Sequence, residues 1–218
     1  MTKKKGGKNM SEMSKRLNQC RKPQGEIGKT VADEMNESHF KLTTWGLEKI
    51  KVEKNSTVLD IGCGGGRTVN RLAHLASDGK VYGMDYSQDC VNWSTDYNKE
   101  FIDKGKVEII KGSVEKIPFE DNKFENIFAV ETIYFWPSLS ESFKEVRRVL
   151  KYTGKFIIIN EMYSSESFKK RNDEWAAMSD MKIMRPEELK DILMDAGFKN
   201  IEMHTVEEKN WLCCVNEI

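Results

Sequence analysis

The feature that most constrains the fold of this 218-residue chain is the segment from residue 57 to residue 66, which reads TVLDIGCGGG. Its apolar first half, which runs into Asp60, predicts a buried parallel strand. Its glycines predict a tight loop, with a helix beginning near Arg67. Glycines let the backbone approach a ligand closely, and the N–H groups at a helix start point at whatever is bound. The segment therefore predicts a ligand site.

The spacing of the glycines separates the classes of ligand. A dinucleotide fingerprint has glycines at its first, third and sixth positions, and the sixth position counted from Gly62 is Arg67. The arginine side chain would block the close approach of a pyrophosphate, which makes a nicotinamide dehydrogenase a distant alternative. A phosphate-binding loop of nucleotide hydrolases ends in Gly-Lys-Ser/Thr, and this loop does not.

Further motifs follow the glycine loop in a fixed order. A second strand, KVYGM, ends in Asp85, where a carboxylate can accept hydrogen bonds from both hydroxyls of a ribose. Three more blocks follow, GSVEKIPF at 112–119, DNKFE at 121–125 and EVRRVLKYTGKF at 145–156. Together these blocks resemble the class I S-adenosylmethionine (SAM) dependent methyltransferases. The resemblance spans roughly residues 26–218 and is closest to the small-molecule branch, methyltransferase type 11, which includes the ubiquinone/menaquinone-biosynthesis type.

The resemblance implies an α/β fold of a defined kind. We expect a Rossmann-like, seven-stranded, mostly parallel sheet with helices on both faces, an antiparallel last strand and an N-terminal helical cap. Residues 1–20 are expected to form a disordered basic tail, and residues 21–218 a single methyltransferase domain. Within that domain, residues 21–52 would form the cap and residues 161–185 a candidate substrate lid.

The resemblance also implies SAM as the cofactor and assigns residues to it. Ser113 stands where the family usually has an acid that holds the adenine amino group, and its hydroxyl can still accept one hydrogen bond. The predicted cofactor-binding residues are Asp60, Gly62, Cys63, Gly64, Gly66, Asp85, Tyr86, Ser113, Val114 and Glu131.

The acceptor end of the site is expected near the cap and after strand four. We predict substrate contacts for Asn36, Tyr134, Trp136 and Tyr163. At least one of the three aromatic residues 134–136 is expected in the core, because consecutive side chains cannot all face one cavity. For the cavity, Tyr134 is preferred to Trp136. Transfer of an activated methyl group chiefly requires that the acceptor is held close to the methyl group, in line with the bond that breaks, and away from water. A base is needed only for a protonated acceptor, and the catalytic candidates are Glu131, Tyr134 and His39. A structural role for His39 is an equal alternative.

The composition and charge of the chain restrict the classes of partner that it is expected to bind. The chain has 35 basic and 35 acidic side chains, but residues 1–22 hold eight of the basic and one of the acidic residues, which leaves a mildly acidic body. An acidic body disfavours nucleic acid, so a small-molecule substrate and a monomer or homodimer are expected. Five cysteines without a Cys-x-x-Cys pair predict neither a metal site nor a disulfide framework, and they fit a cytoplasmic setting. No apolar run reaches membrane-spanning length, and the first residues lack the apolar core of a secretory signal.

Two other functions stay open at this point. A noncatalytic member of the family would bind SAM or a partner without turnover, although the intact glycine loop and Asp85 argue against it. An RNA or protein methyltransferase is favoured only by the basic tail. It is opposed by the acidic body and by ETIY at residues 131–134, where such enzymes have Asn/Asp-Pro-Pro-Tyr/Phe.

Overall fold

The computed structural model describes residues 19–179 and 181–218. The tail predicted for residues 1–20 lies outside the described residues up to residue 18. The described chain contains a seven-stranded sheet with the strand order β3-β2-β1-β4-β5-β7-β6. Its strands are β1 Thr57–Ile61, β2 Lys80–Asp85, β3 Val107–Lys111, β4 Phe124–Val130, β5 Leu150–Asn160, β6 Lys199–Val206 and β7 Trp211–Glu217.

Strand direction agrees with the sequence-based expectation. β7 runs antiparallel to both of its neighbours, β5 and β6, and the other pairings in the sheet are parallel. The closing hairpin predicted from the end of the sequence is the β6–β7 pair. The mostly parallel, seven-stranded, Rossmann-like sheet with an antiparallel last strand is therefore confirmed.

Helices cover both faces of this sheet. They are α1 Gly25–Ser38, α2 Phe40–Leu47, α3 Arg67–Leu75, α4 Gln88–Tyr97, α5 Lys99–Asp103, α6 Leu139–Val149, α7 Lys169–Ser179 and α8 Pro186–Asp195. Apolar residues of α6 and α8 belong to one buried cluster, and those of α2 and α3 belong to the cluster on the opposite face. None of the helices in the described part of the chain combines the length and apolar character that a membrane crossing requires.

Strand β5 joins the two cores. Its residues Phe156, Ile157, Ile158 and Ile159 are fully buried, and they alternate between the two clusters. Burying each such side chain contributes ~1.5–3 kcal/mol relative to leaving it in water. An unbroken apolar run is typical of a parallel strand covered on both faces. The apolar cores on both faces of the sheet therefore include side chains of this one strand.

Two predicted boundaries differ from the structure. The single helix expected from Ser87 to Gly105 is divided into α4 and α5 at Asn98, whose side-chain amide donates to the carbonyls of Gly66 and Ser94. Asparagine side chains compete with the backbone for such bonds, which interrupts a helix. The fifth strand was expected at residues 155–160, but it begins at Leu150 directly after α6, because Leu150 already pairs with Phe124 of β4.

Helices α1 and α2 form a cap over the carboxyl edge of the sheet. Arg67 donates to the carbonyl of Asn36 at 3.0 Å, and Arg71 donates to the carbonyl of Phe40 at 3.2 Å and to Thr44 Oγ1 at 2.9 Å. Both arginines belong to α3, the helix that follows the glycine loop. The cap is therefore held by the element that also forms the floor of the predicted site.

The candidate lid, residues 161–185, is held by hydrogen bonds to the turn after β4 and by hydrogen bonds within itself. The N–H of Lys182 donates to the carbonyl of Tyr134 at 3.1 Å, and the N–H of Ser164 donates to the carbonyl of Met184 at 2.8 Å. Asn172 of α7 donates its side-chain amide to the carbonyl of Tyr163 at 2.8 Å. Closure of this segment over a ligand stays a prediction.

Candidate active site

A cavity of about 310 Å³ lies at the carboxyl edge of the sheet, beneath the cap. Its walls come from the loop after β1, the ends of β2 and β4, the segment after β3, and helices α1 and α2. Strand β1 lies between β2 and β4. From β1 the chain continues to β2 and β3 on one side of it, and then crosses to β4 on the other side, so the strand order reverses at β1. Open α/β sheets bind their ligands at such a reversal of strand order.

The glycine loop is shaped by contacts that exclude side chains. Gly62 has a φ of +77°, and a Cβ atom there would lie 2.4 Å from Thr132 Cγ2. A Cβ on Gly65 would lie 2.4 Å from Asn36 Nδ2 of the cap. The N–H groups of Gly62 and Cys63 both donate to the carbonyl of Met84, at 2.7 and 3.1 Å. The loop is therefore fixed to the end of β2 and leaves no room for side chains at Gly62 and Gly65.

Two acids lie at the ends of adjacent strands. Asp85 accepts hydrogen bonds from the N–H of Gly64 at 3.0 Å and the N–H of Ser87 at 2.9 Å. Burial raises its pKa, and these hydrogen bonds oppose the rise. Burial, together with the charge of Asp85, raises the pKa of Asp60 to about 7. A positively charged ligand at this end would lower both pKa values and so favour the ionised carboxylates.

The segment after β3 closes another wall of the cavity. Ser113 donates to Glu115 Oε2 at 3.2 Å and accepts from the N–H of Glu115 at 3.3 Å. The Ser113 hydroxyl is therefore hydrogen-bonded to Glu115, which also lines the cavity. Tyr86 lies at the rim, where its hydroxyl donates to the carbonyl of Arg21 at 2.5 Å, and burial raises its pKa to about 12.

A second group of titratable side chains lies after β4 and β5. Glu131 has a φ of +59°, and one of its carboxylate oxygens accepts from the N–H of Glu161 and lies 3.2 Å from the hydroxyl of Tyr134. His39 Nε2 lies 3.9 Å from Glu131 and 3.5 Å from Glu161. Burial and the charge of Glu161 raise the pKa of Glu131 to about 8, and burial lowers the pKa of His39 to about 4. The imidazole is therefore uncharged at neutral pH.

Most of the residues predicted from the sequence meet in this one cavity. The predicted residues that line it are Asn36, His39, Asp60, Gly62, Cys63, Gly64, Asp85, Tyr86, Ser113, Val114, Glu131 and Trp136. Three predicted residues do not line it, namely Gly66, Tyr134 and Tyr163. Their binding or catalytic roles toward a ligand are not defined by position alone.

Gly66 faces helix α4 and not the cavity. Its carbonyl accepts the side-chain amide of Asn98 at 2.9 Å, and a Cβ atom on Gly66 would lie 2.6 Å from Ser94 Oγ. Gly66, the last glycine of the loop, therefore allows α4 to pack against the loop. Gly65, which was not predicted, lines the cavity instead.

Trp136 lines the cavity and Tyr134 does not, which reverses the preference drawn from the sequence. Substrate contacts for both residues stay predictions. Residues 133–135 form a 3₁₀ turn, so their side chains do not alternate as they would in a strand. Tyr134 is buried behind Glu131, and its hydroxyl accepts from the N–H of Met162 at 2.9 Å. Trp136 lines the cavity while its ring also packs on Phe156.

Tyr163 is not among the residues that line the cavity. It is buried in the core cluster that also contains apolar residues of α6 and α8. A substrate contact for Tyr163 stays a prediction that this burial does not favour.

Several cavity residues were missed by the sequence reasoning. Arg71 lines the cavity beside Arg67, and its spacing of four residues on α3 was the available signal, since such pairs share a helix face. Phe40 lies between the two guanidinium groups, with its ring centroid 4.6 Å from each. Nothing local in the sequence marks Glu161 as a neighbour of His39, although Glu161 Oε2 lies 3.5 Å from His39 Nε2.

Comparison with known proteins gives a consistent picture. Residues 59–158 match a family model described as a methyltransferase domain. The chain is 30% identical over 128 residues to 24-methylenesterol C-methyltransferase 2 of Arabidopsis thaliana, an alignment that covers 59% of this chain and 35% of that protein. It is 24% identical over 202 residues to demethylmenaquinone methyltransferase of Bacillus licheniformis, with 79% and 85% covered. The chain thus spans about a third of the length of the sterol methyltransferase.

Solved structures share the architecture. A SAM-dependent methyltransferase from Aquifex aeolicus superposes with a TM-score of 0.69 at 24% identity, and the match covers 86% of this chain and 95% of that one. At this level of identity the likeness concerns the fold. The fold, the cavity and the family match therefore agree with the motif order read from the sequence.

Proposed function

We propose that this protein is a SAM-dependent methyltransferase that transfers a methyl group to a small-molecule acceptor, because residues 59–158 match the model of a methyltransferase domain. The observation that carries the proposal is the meeting of the glycine loop, Asp85 and Glu131 around one cavity at the reversal of strand order. The other functions considered from the sequence are not favoured by a comparable observation.

The residues of the cavity suit SAM as the cofactor. Asp85 has its two oxygens held by backbone N–H groups and offers its remaining lone pairs to ribose hydroxyls. The acidic side chains Asp60, Asp85 and Glu131 complement a ligand that carries a sulfonium and an ammonium group. Gly62 and Gly65 allow close approach, because a Cβ atom at either position would collide with a neighbour. The cavity volume lies at the lower end of the range of small-molecule sites.

The acceptor end of the cavity favours a small, partly apolar molecule. Phe135 and Trp136 supply an aromatic wall, and the cap encloses it. Enclosure of this kind does not suit a long polymer. The names of the two relatives refer to a sterol and a quinone, both of which are ring compounds with large apolar surfaces.

The chemistry required of the protein is mainly positional. Bound SAM would supply an activated methyl group, whose bond to sulfur breaks as its bond to the acceptor forms. The cap and the aromatic wall hold the acceptor and exclude water, which lowers the entropic barrier to such a displacement. Where the acceptor carries a proton, the candidates to accept it are His39, which is uncharged at neutral pH, and Glu131 in its ionised form.

Titration calorimetry with SAM, and separately with its demethylated product, tests the proposal. We expect micromolar affinity for the wild-type protein and at least a tenfold loss in Asp85→Asn, which keeps an acceptor oxygen but removes the charge. The matched control is Asp96→Asn, an exposed aspartate on α4. Circular dichroism confirms that each variant is folded. Failure of the folded wild-type protein to bind either compound would contradict the proposal.

Turnover is tested with Glu131→Gln. Loss of methyl transfer to a small apolar acceptor, with cofactor affinity unchanged, would support a role for Glu131 at the acceptor. Cofactor binding without transfer to any acceptor in a panel of ring hydroxyls, amines and quinols would instead favour the noncatalytic alternative.

A further inference from the structure

Three potential metal ligands from separate parts of the chain converge at the acceptor end of the cavity. His39 lies between α1 and α2, Glu131 follows β4, and Glu161 follows β5. One donor atom from each lies within 4.8 Å of the other two. We propose that these three side chains bind a divalent transition-metal cation of the zinc or manganese class.

The chemistry of the donors supports this class of cation. One imidazole nitrogen and two carboxylate oxygens are ligands that Zn²⁺ and Mn²⁺ both accept. His39 Nε2 lies 3.9 Å from Glu131 Oε2 and 3.5 Å from Glu161 Oε2. For metal–ligand bonds of ~2.1 Å, these separations correspond to angles of roughly 110–140° at the metal. One ion can therefore bridge His39 to either carboxylate at these separations.

The carboxylate of Glu131 is held so that one oxygen stays available. Its Oε1 accepts the N–H of Glu161 and lies within reach of the hydroxyl of Tyr134, while Oε2 faces His39. Tyr134 is itself held by the N–H of Met162. Metal-binding carboxylates characteristically have such supporting hydrogen bonds, which orient them and favour the bound state.

The position of the three ligands indicates a use for the ion. His39 and Glu131 line the cavity, and the partly exposed Glu161 lies 3.5 Å from His39. With three protein ligands, the ion would keep at least one position open, as catalytic zinc sites do. An oxygen of the acceptor would be able to fill that position. This use rests on the proposed function, whereas the metal site itself does not.

No short sequence motif marks this site. Metal sites are usually recognised from closely spaced cysteines and histidines, and here the three ligands are brought together only by the sheet and the cap. Their separation along the chain explains why no short motif contains them.

Calorimetric titration of the full chain with Zn²⁺, and separately with Mn²⁺, after treatment with a chelator tests the proposal. We expect one ion per chain for at least one of the metals, and at least tenfold weaker binding in His39→Gln and in Glu161→Gln. The matched controls are His204→Gln and Glu202→Gln, which alter a His–Glu pair 3.7 Å apart on β6. We expect both controls to bind the ion as the wild-type protein does.

Each result decides the question. Equal metal affinity in the wild-type protein and in His39→Gln would overturn the proposal. The absence of stoichiometric binding of either metal would also overturn it, and this is the result expected if the cluster instead binds an amino group of the acceptor. SAM binding measured in the presence of a chelator keeps this test separate from the proposed function. A protein that binds SAM but no metal refutes only the metal site, and one that binds the metal but not SAM refutes only the cofactor assignment.

Discussion

The two ends of the cavity are built in different ways. The end formed by the β1 loop and β2 uses backbone, glycines and Asp85, and its parts lie within about thirty residues of sequence. The acceptor end uses side chains from the cap, from the turn after β4 and from the segment after β5. A backbone-built site tolerates few substitutions, whereas a site built from distant side chains can change its ligand through single substitutions. The predictions below test this contrast.

The largest effect is expected at Gly62. Gly62→Ala combines a φ of +77° with a Cβ atom 2.4 Å from Thr132 Cγ2. We expect a loss of ~3 kcal/mol of unfolding free energy and at least a hundredfold loss of SAM affinity. Gly105→Ala is the control, because Gly105 has a φ of +71° but no atom within 4 Å of the added Cβ. It should lose only ~1–2 kcal/mol. Equal losses in the two variants, measured by urea unfolding, would contradict the steric account.

The buried acid Asp60 predicts a pH dependence at the same end. In the ligand-free protein its pKa is raised to about 7, so the fold favours the protonated form. This stabilisation is complete below the unfolded pKa of about 4 and is lost as the pH rises through about 7. Between pH 4 and pH 7.5, the wild-type protein should therefore lose up to ~4 kcal/mol more unfolding free energy than Asp60→Asn. If the unfolding free energies of the two proteins change with pH in parallel, the Asp60 carboxyl is ionised throughout and the prediction is contradicted. The exposed Asp96→Asn variant serves as the reference.

A smaller and more local effect is expected at the acceptor end. Tyr134→Phe removes the hydroxyl that bonds to Met162 and contacts Glu131. We expect ~1–2 kcal/mol of destabilisation, reduced methyl transfer and unchanged SAM affinity. The exposed Tyr152→Phe is the control. A loss of SAM affinity as large as the loss of transfer would mean that the two ends of the cavity are not independent.

The smallest effect is expected where the cap meets α3. The ring of Phe40 lies 4.6 Å from the guanidinium carbons of both Arg67 and Arg71. Phe40→Leu keeps the apolar volume but removes two cation–π contacts, each worth ~0.5–1 kcal/mol at an exposed site. We expect a two- to fivefold weaker affinity for SAM through a looser cap, measured by calorimetry. Unchanged affinity would show that the hydrogen bonds of the arginines suffice to hold the cap.

The same contrast explains what the sequence could predict. The strand, loop and acid of the first end follow from periodicity and glycine spacing, so Asp60, Gly62 and Asp85 were found. Gly66 was assigned to the ligand because nothing local reveals that Asn98 packs on it. The sequence does not rank Tyr134 against Trp136 at the cavity, because the directions of their side chains depend on the 3₁₀ turn at residues 133–135.

Other features of the acceptor end depend on long-range contacts that a single sequence does not reveal. Tyr163 was expected at the cavity, but its orientation is set by packing against the β6 side of the sheet. Glu161 reaches His39 only because β5 lies beside β4 and beneath α2. Elements with their own periodicity were therefore predictable, and side-chain contacts between them were not.

The place of β7 in the sheet has a consequence for synthesis of the chain on the ribosome. β7 is made after β6, yet it inserts between β6 and β5. Until both strands have emerged, β5 is an open edge whose buried isoleucines lack a neighbouring strand, and such edges promote aggregation. The nascent sheet therefore gains its final edge in one late step, and a chaperone that shields β5 during that interval would raise the yield of folded protein.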